Sequence, residues 1–177
     1  MLDEILSSGL ARELIVVIIS ILPVVELRGA LPVAMEVFHM PWYEAFLLSV
    51  IGNLLPVPFL LLFFDSVAKL VSRVEVGKRF VDWVLKRARR HTGTVEKYKH
   101  IGLIIFVAIP LPMTGAWTAS LVSYVLGLKF RQSFLDIAVG VIGAGAIVLG
   151  LIFMGWTGAV IAGVALVVLA VLGVWKL

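Results

Sequence analysis

Two long apolar stretches of the chain are interrupted near their middle by proline and glycine, and this constrains the fold more than any other feature. The first reads ILPVVELRGALPVA, residues 21–34, and the second reads FVAIPLPMTGAWTAS, residues 106–120. The interrupting residues are Pro23, Gly29 and Pro32 in the first stretch and Pro110, Pro112 and Gly115 in the second. Proline removes a backbone donor and glycine loosens a helix, so we expect a break within each stretch.

Composition places these stretches in a membrane. Of the 177 residues, 62% are hydrophobic and only 15% are charged, which is far from the balance of a soluble domain. Three further apolar stretches, 45–64, 133–154 and 158–175, are long enough to cross a bilayer as ordinary helices. The sequence therefore predicts a multi-pass, all-α integral membrane protein. It contains no cysteine, which excludes disulfides and thiolate chemistry.

Broken backbone at membrane depth is tolerated only where protein or a water-filled cavity satisfies its polar groups. The apolar part that precedes the first break, residues 14–25, would reach about 18 Å as a helix, against a hydrocarbon core of about 30 Å. We therefore expect both interrupted stretches to be re-entrant hairpins that face one another. The alternative is a pair of proline-kinked helices that each cross the membrane completely.

An internal repeat supports the hairpins. Shifting the chain by 86 to 88 residues places Pro23 near Pro110, Gly29 on Gly115 and Gly52 on Gly140, although so few identities could also arise by chance. The predicted fold has two inverted repeats, each a re-entrant helical hairpin plus a transmembrane helix, joined by a cytoplasmic amphipathic helix and followed by one C-terminal transmembrane helix. In this single membrane domain the four parts are residues 1–65, 66–100, 101–155 and 156–177.

Charge predicts the orientation. Residues 66–100 carry ten Lys or Arg against three acids, so we expect this loop and the C-terminus in the cytoplasm and the N-terminus outside the cell membrane. Within the loop, residues 74–91 have apolar residues at four-residue spacing and a basic end, which indicates an amphipathic helix on the anionic inner leaflet. A solvated linker helix is the alternative. The expected partners are membrane lipids and, in a homo-oligomer, further copies of the chain, but no nucleic acid.

Glu26 and Arg28 are the strongest candidate functional residues. Ionisable side chains at membrane depth cost about 2.5 to 3.5 kcal/mol each on insertion scales and are retained mostly for function. Arginine stays charged and can bind a carboxylate or phosphate with its planar fork, whereas a buried carboxyl group can exchange a proton as its surroundings change. The two side chains could instead form a structural pair that holds the hairpin together.

Three further residues are weaker candidates. Thr114 is the polar side chain of the second hairpin and is expected to help bind substrate. Asn53 could line the same cavity or make an interhelical hydrogen bond. Asp136 is a candidate for ion coupling, although a helix dipole would also favour an acid near the start of its predicted helix. No metal site, cofactor or catalytic triad is predicted, and the chain is not expected to be an enzyme.

The segments ELRGALPVA (26–34) and IPLPMTGAW (109–117) resemble those of the small multidrug export family, which is similar to the DedA superfamily of lipid transporters. The resemblance covers nearly the whole chain. It implies two opposed re-entrant hairpins and, as in DedA-like proteins, movement of polyprenyl phosphate or phospholipid across the bilayer with proton coupling. Glu26 and Arg28 match the charged tip of the first hairpin. The second hairpin departs from the DedA pattern, because Thr114 stands where those proteins carry arginines.

These observations lead to one leading hypothesis of function and two alternatives. The leading hypothesis is an ion- or proton-coupled secondary transporter of a lipid-linked phosphate, in which Arg28 binds the anionic group and Glu26 titrates. The first alternative is an exporter of small organic cations with Glu26 as the binding charge. The second is an uncoupled scramblase or a scaffold.

Overall fold

A computed structural model describes residues 9–71, 96–110 and 114–158, together with positions 160, 163, 164 and 168. Every secondary-structure element within these ranges is helical, which confirms the predicted all-α class. The predicted amphipathic helix 74–91 and most of the predicted C-terminal helix 158–175 lie outside the described residues.

Seven α-helices and one π-helix make up the described fold. They are α1 (Gly9–Ile21), α2 (Glu26–Pro32), the π-helix (Val33–Val37), α3 (Trp42–Leu54), α4 (Val57–Val71), α5 (Glu96–Ala108), α6 (Ala116–Val125) and α7 (Phe130–Phe153). Helix α4 thus continues beyond residue 66, and α5 begins before residue 101. The helices at both ends of the predicted linker therefore extend into it.

The first interrupted stretch is a helix, a turn and a second helix. Residues 22–25 form the turn around Pro23, and the chain re-enters a helix at Glu26, whose N–H donates to the carbonyl of Leu22 at 3.0 Å. The prediction that Gly29 and Pro32 break the hairpin was wrong in position. Gly29 lies inside α2, where its N–H bonds to the carbonyl of Val25, and Pro32 ends α2 where the π-helix begins.

The second interrupted stretch is broken between Ala108, where α5 ends, and Ala116, where α6 begins. Ile109, Pro110, Thr114 and Gly115 are described in this gap, whereas Pro112 lies outside the described residues. Both stretches are therefore discontinuous, as their prolines predict.

Helix α6 ends in a Schellman motif. Gly127 adopts a φ of 67°, a left-handed conformation that glycine tolerates without a Cβ penalty. The N–H of Leu128 donates to the carbonyl of Ser123, and the N–H of Gly127 donates to that of Tyr124. This turn redirects the chain into α7.

Among the described residues, two helical runs are long and apolar enough to cross a membrane, Trp42–Phe64 and Phe130–Phe153. The second is one continuous helix, as predicted. The first was predicted as an uninterrupted span over 45–64, but it breaks at residues 55–56 between α3 and α4. The break arises because Pro56 and Pro58 each lack the N–H that would continue the hydrogen-bond ladder.

The described helices pack around α7, which contacts α2, α3, α4, α5 and α6. The ring of Trp42, at the start of α3, lies edge-on to that of Phe153, at the end of α7, with centroids 6.4 Å apart. The helices α3 and α7 are therefore antiparallel. Large apolar side chains such as Leu47, Phe59 and Ile142 point outward, as expected for residues that face lipid in a membrane protein.

Two helix crossings depend on glycine. A Cβ on Gly52 would lie 2.7 Å from the Cβ of Ser20, so α3 and α1 approach too closely for a side chain there. A Cβ on Gly140 would lie 2.5 Å from the Cβ of Val107, so α7 and α5 also approach too closely for a side chain there. Small residues at these positions let the helix backbones come together, which is how helices associate in lipid.

Candidate functional site

The site forms where α2, from the first interrupted stretch, meets the gap between α5 and α6 in the second. Glu26 begins α2 with a φ of 51°, a conformation that is uncommon for residues other than glycine. Only 4% of its surface is exposed. A strained backbone together with a buried carboxyl group is typical of positions that surrounding contacts hold in place.

The Glu26 carboxylate lies at the N-terminus of α6. It accepts a hydrogen bond from the backbone N–H of Trp117, in the first turn of that helix. It also occupies the space where a Cβ on Gly115, the residue that precedes α6, would lie. The first N–H groups of a helix have no partner within it and carry partial positive charge. Glu26 therefore caps α6 from a different segment of the chain.

Arg28 reaches the other side of the same gap. Its guanidinium donates to the carbonyls of Val107 and Ile109, each at 3.4 Å, and to the Thr114 hydroxyl at 3.0 Å. Val107 lies in the last turn of α5, where carbonyls have lost their helical donors and carry partial negative charge. The Thr114 hydroxyl in turn donates to the Ile109 carbonyl at 3.0 Å. Arg28 thus caps the C-terminus of α5.

These contacts explain why an acid and a base lie two positions apart. The break in the second stretch creates one positive and one negative helix end, and α2 presents Glu26 to the first and Arg28 to the second. Both residues share this site from the first turn of a helix.

The second interrupted stretch also caps a helix end in the first stretch. The indole Nε1 of Trp117 donates to the carbonyl of Ile21, the last residue of α1, at 3.0 Å. Trp117 thus satisfies a carbonyl at the end of a helix. The two broken segments therefore cap one another.

Asn53 is buried on α3, and the described hydrogen bonds do not join it to Arg28 or Thr114. Its Oδ1 has no partner among the described residues, so the predicted interhelical bond is not made through that atom. The glycines Gly143 and Gly145 of α7 pack against Ala108 and Phe46, respectively.

Asp136 makes a contact that sequence reasoning missed. Its carboxylate lies 2.5 Å from Nδ1 of His100 on α5. Helix α7 begins at Phe130, so Asp136 is in its second turn, and the dipole of the first turn does not explain the acid. Nothing in the local sequence connects these two residues, which are 36 positions apart.

Within the described ranges, no group of three or more His, Cys, Asp or Glu side chains could hold a metal ion. The arrangement therefore offers ion pairs and helix ends as its chemistry. Charged side chains at helix ends can exchange a protein partner for a ligand, since both bind through hydrogen bonds and charge.

Comparison with known proteins supplies the family. Neither the curated proteins nor the solved structures contain a match to the chain. A family model does match, over residues 26–147, a range that begins at Glu26 and includes Arg28, Thr114 and Trp117. Because the match covers more than half of the 177 residues, the chain belongs to the family described as "Putative small multi-drug export protein".

Proposed function

We propose that the chain is an ion- or proton-coupled secondary transporter in which Arg28 binds an anionic group of the substrate and Glu26 carries the coupling proton. The observation that carries the proposal is the double capping of the second broken segment by these two residues of the first. In secondary transporters, substrate and ion sites form where discontinuous helices meet near the middle of the membrane.

The proposed architecture is a pair of re-entrant hairpins in two inverted repeats. The described part of helix α1, Gly9–Ile21, has 13 residues and spans about 20 Å, against a hydrocarbon core of about 30 Å. The glycine crossings support the repeat, because α1 meets α3 at Gly52 as α5 meets α7 at Gly140, 88 positions later. Residues 66–100 and the C-terminus would face the cytoplasm, and the N-terminus the outside.

The two charges differ in how a solute could reach them. Glu26 is buried against Gly115, whereas Arg28 is only half-buried. An incoming anion would therefore meet Arg28 first and would compete with the carbonyls of Val107 and Ile109 for the guanidinium. A phosphate or carboxylate accepts from arginine more strongly than a neutral carbonyl does, so such an exchange is favourable.

Protonation of Glu26 would then couple the ion to the movement. A neutral carboxyl group loses its charge interaction with the N-terminus of α6, which is worth about 0.3 to 2 kcal/mol. Loss of both caps would free the α5 and α6 ends from α2. The two hairpins could then separate on one side of the membrane and meet again once the proton and the substrate leave.

A lipid-linked phosphate is the leading substrate. Next to Arg28, the turn at residues 22–25 exposes apolar side chains, and Val24 is 91% exposed. An amphiphile with an anionic head at Arg28 would lay its hydrocarbon chain along this turn. A polyprenyl phosphate or a phospholipid has this form.

A second candidate is export of small organic cations, which the description of the family favours. In that case Glu26 is the binding charge, and Arg28 serves only to hold α5. A third candidate, from another class, is an uncoupled scramblase or scaffold, in which the two caps are purely structural.

Reconstitution into liposomes separates the three. Flux of labelled polyprenyl phosphate and of a lipophilic organic cation would be measured with and without a pH gradient. Arg28→Ala and Glu26→Gln would be compared with Arg131→Ala, which removes an exposed arginine from α7. The proposal expects gradient-driven flux of the phosphate that falls at least tenfold in Arg28→Ala and is kept in Arg131→Ala.

The other outcomes point elsewhere. Cation flux that survives Arg28→Ala but is lost in Glu26→Gln supports the organic-cation exporter. Phosphate flux that ignores the pH gradient supports the scramblase. Equal phosphate flux in the wild type and Arg28→Ala removes the proposed role of Arg28.

A further inference from the structure

Two buried oxygen atoms lie on one face of α3 without a hydrogen-bond partner among the described residues. They are Oγ of Ser49 and Oδ1 of Asn53, in residues that are 0% and 4% exposed. Spacing of four residues places both on the same helix face, about 5 to 6 Å apart at Cβ. An unsatisfied buried polar group costs about 1 to 3 kcal/mol, so two neighbouring ones indicate that a ligand binds between them.

The break between α3 and α4 adds a third oxygen to this face. In a continuous helix the carbonyl of Gly52 would accept from the N–H of residue 56, but that residue is Pro56 and has none. Gly52 and Pro56 are buried and fall at the third and seventh positions after Ser49, on the same side of the helix. The face thus offers two side-chain oxygens and one backbone carbonyl that its own helix does not satisfy.

Helix α1 closes this face on one side. The Ser20 hydroxyl donates to the Ser49 carbonyl at 2.8 Å, and α1 lies so near that Gly52 has no room for a side chain. Because Ser20 already donates to a backbone carbonyl, the Ser49 and Asn53 oxygens keep their lone pairs available. Acceptors without donors, held at the break of a membrane helix, are the groups with which transporters coordinate cations.

The chemistry of these oxygens indicates which cation they would bind. Calcium binds oxygen ligands at about 2.3 to 2.6 Å, and its sites use carboxylates for charge. The only acid in the run Trp42–Phe64 is Glu44, in the first turn of α3. A neutral oxygen set suits a monovalent cation, and sodium has nearly the ionic radius of calcium.

We propose that Ser49, Asn53 and the Gly52 carbonyl form a sodium site at the junction of α3 and α4. This goes beyond the proposed function, which assigns the coupling proton to Glu26, and it gives the chain a second ion with its own site. It also gives Asn53 a role different from the substrate contact that the sequence suggested.

The test measures binding on the purified full chain in lipid nanodiscs, without substrate or gradient. Thermal unfolding would be followed in NaCl, KCl and choline chloride at equal ionic strength, together with retention of ²²Na⁺. We expect a saturable rise in melting temperature in NaCl alone, and Ser49→Ala and Asn53→Ala should each weaken the apparent sodium affinity at least tenfold.

Ser120→Ala is the matched control, because Ser120 is also fully buried but its hydroxyl donates to the carbonyl of Ala116 within its own helix. It should keep the sodium response. Ser49→Ala removes an oxygen that has no partner in the described part of the chain, so it should fold as well as the wild type in choline chloride. It therefore tests the proposal even if Asn53→Ala does not fold.

The proposal is overturned if the melting temperature is the same in the three salts and the chain retains no ²²Na⁺. It is also overturned if Ser49→Ala keeps the sodium-dependent rise in melting temperature. Neither result touches the transport proposal, since no flux is measured. Conversely, a chain that transports nothing could still bind sodium here.

Discussion

The carboxylate of Glu26 occupies the space beside Gly115 that any other residue at that position would fill with its own Cβ. The first broken segment therefore reaches the start of α6 only because residue 115 has no side chain. Since Glu26 is also bonded to the N–H of Trp117, the carboxylate cannot move aside without giving up the cap. The pair gives a direct test of whether the two segments depend on one another.

We expect Gly115→Ala to destabilise the chain by about 2 to 4 kcal/mol, because it would displace a buried carboxylate from its helix end and leave that charge unsatisfied. Thermal unfolding in nanodiscs would measure the loss. Gly102→Ala is the control, since a Cβ on Gly102 meets no atom within 4 Å. That change should stabilise α5 by about 0.5 to 1 kcal/mol. Equal melting temperatures for the two variants would contradict the contact.

Substitutions of Glu26 separate its charge from its hydrogen bond. Glu26→Gln keeps an acceptor for the Trp117 N–H and should cost about 1 kcal/mol, from the lost interaction with the helix dipole. Glu26→Ala loses both and leaves a buried N–H unpaired, so it should cost about 2 to 3 kcal/mol. Unfolding free energies of the two variants would be compared with that of Glu36→Gln, an exposed glutamate. If Glu26→Gln and Glu26→Ala lowered the free energy of unfolding by similar amounts, the carboxylate would not cap α6.

Local chemistry predicted much of this fold. The positions of the first and second breaks follow from Pro23 and Pro110, because proline affects the hydrogen bonds of its own turn. The break after Leu54 was not predicted, although Pro56 and Pro58 mark it, because the length and apolar character of 45–64 indicate an ordinary spanning helix. Gly29 was assigned to a break but lies inside α2, because flanking packing can override the helix preference of a single glycine.

The contacts that build the site could not be read in the same way. Glu26 and Arg28 were recognised because charge is costly in lipid, but their partners are helix ends about 80 residues away, such as Val107, which lies 79 positions from Arg28. No local pattern connects such positions. The His100 contact with Asp136 was missed for the same reason.

A cross-link tests the packing of the second repeat. A Cβ on Gly143 would lie 3.2 Å from the Cβ of Ala108, close to the mean separation of about 3.8 Å in disulfides. The chain has no cysteine, so Ala108→Cys with Gly143→Cys would be its only thiols. We expect mild oxidant to form an intramolecular disulfide, seen as faster migration in non-reducing gels.

The matched pair for that cross-link is Gly102→Cys with Gly150→Cys, also on α5 and α7. A Cβ at either position meets no atom within 4 Å, so these thiols should stay reduced under the same oxidant. Equal cross-linking of both pairs would indicate random collision rather than the packing of α5 on α7.

A double-mutant cycle tests the pair formed by His100 and Asp136. Their side chains are 31% and 12% exposed, so solvent screens the interaction only in part. A hydrogen bond to a charged group contributes about 1.5 to 3 kcal/mol when well formed, and we expect a coupling energy of about 1 kcal/mol between His100→Gln and Asp136→Asn. Unfolding free energies of the two single variants and the double variant give this energy directly.

His39→Gln provides the control cycle with Asp136→Asn. His39 lies just before α3, whose start is at the Phe153 end of α7, while Asp136 is 17 positions earlier in that helix, about 25 Å away along its axis. Their effects should add to within about 0.5 kcal/mol. If the His100 cycle were equally additive, the two side chains would not stabilise the contact of α5 with α7, and that contact would depend on the packing of Gly140 against Val107 instead.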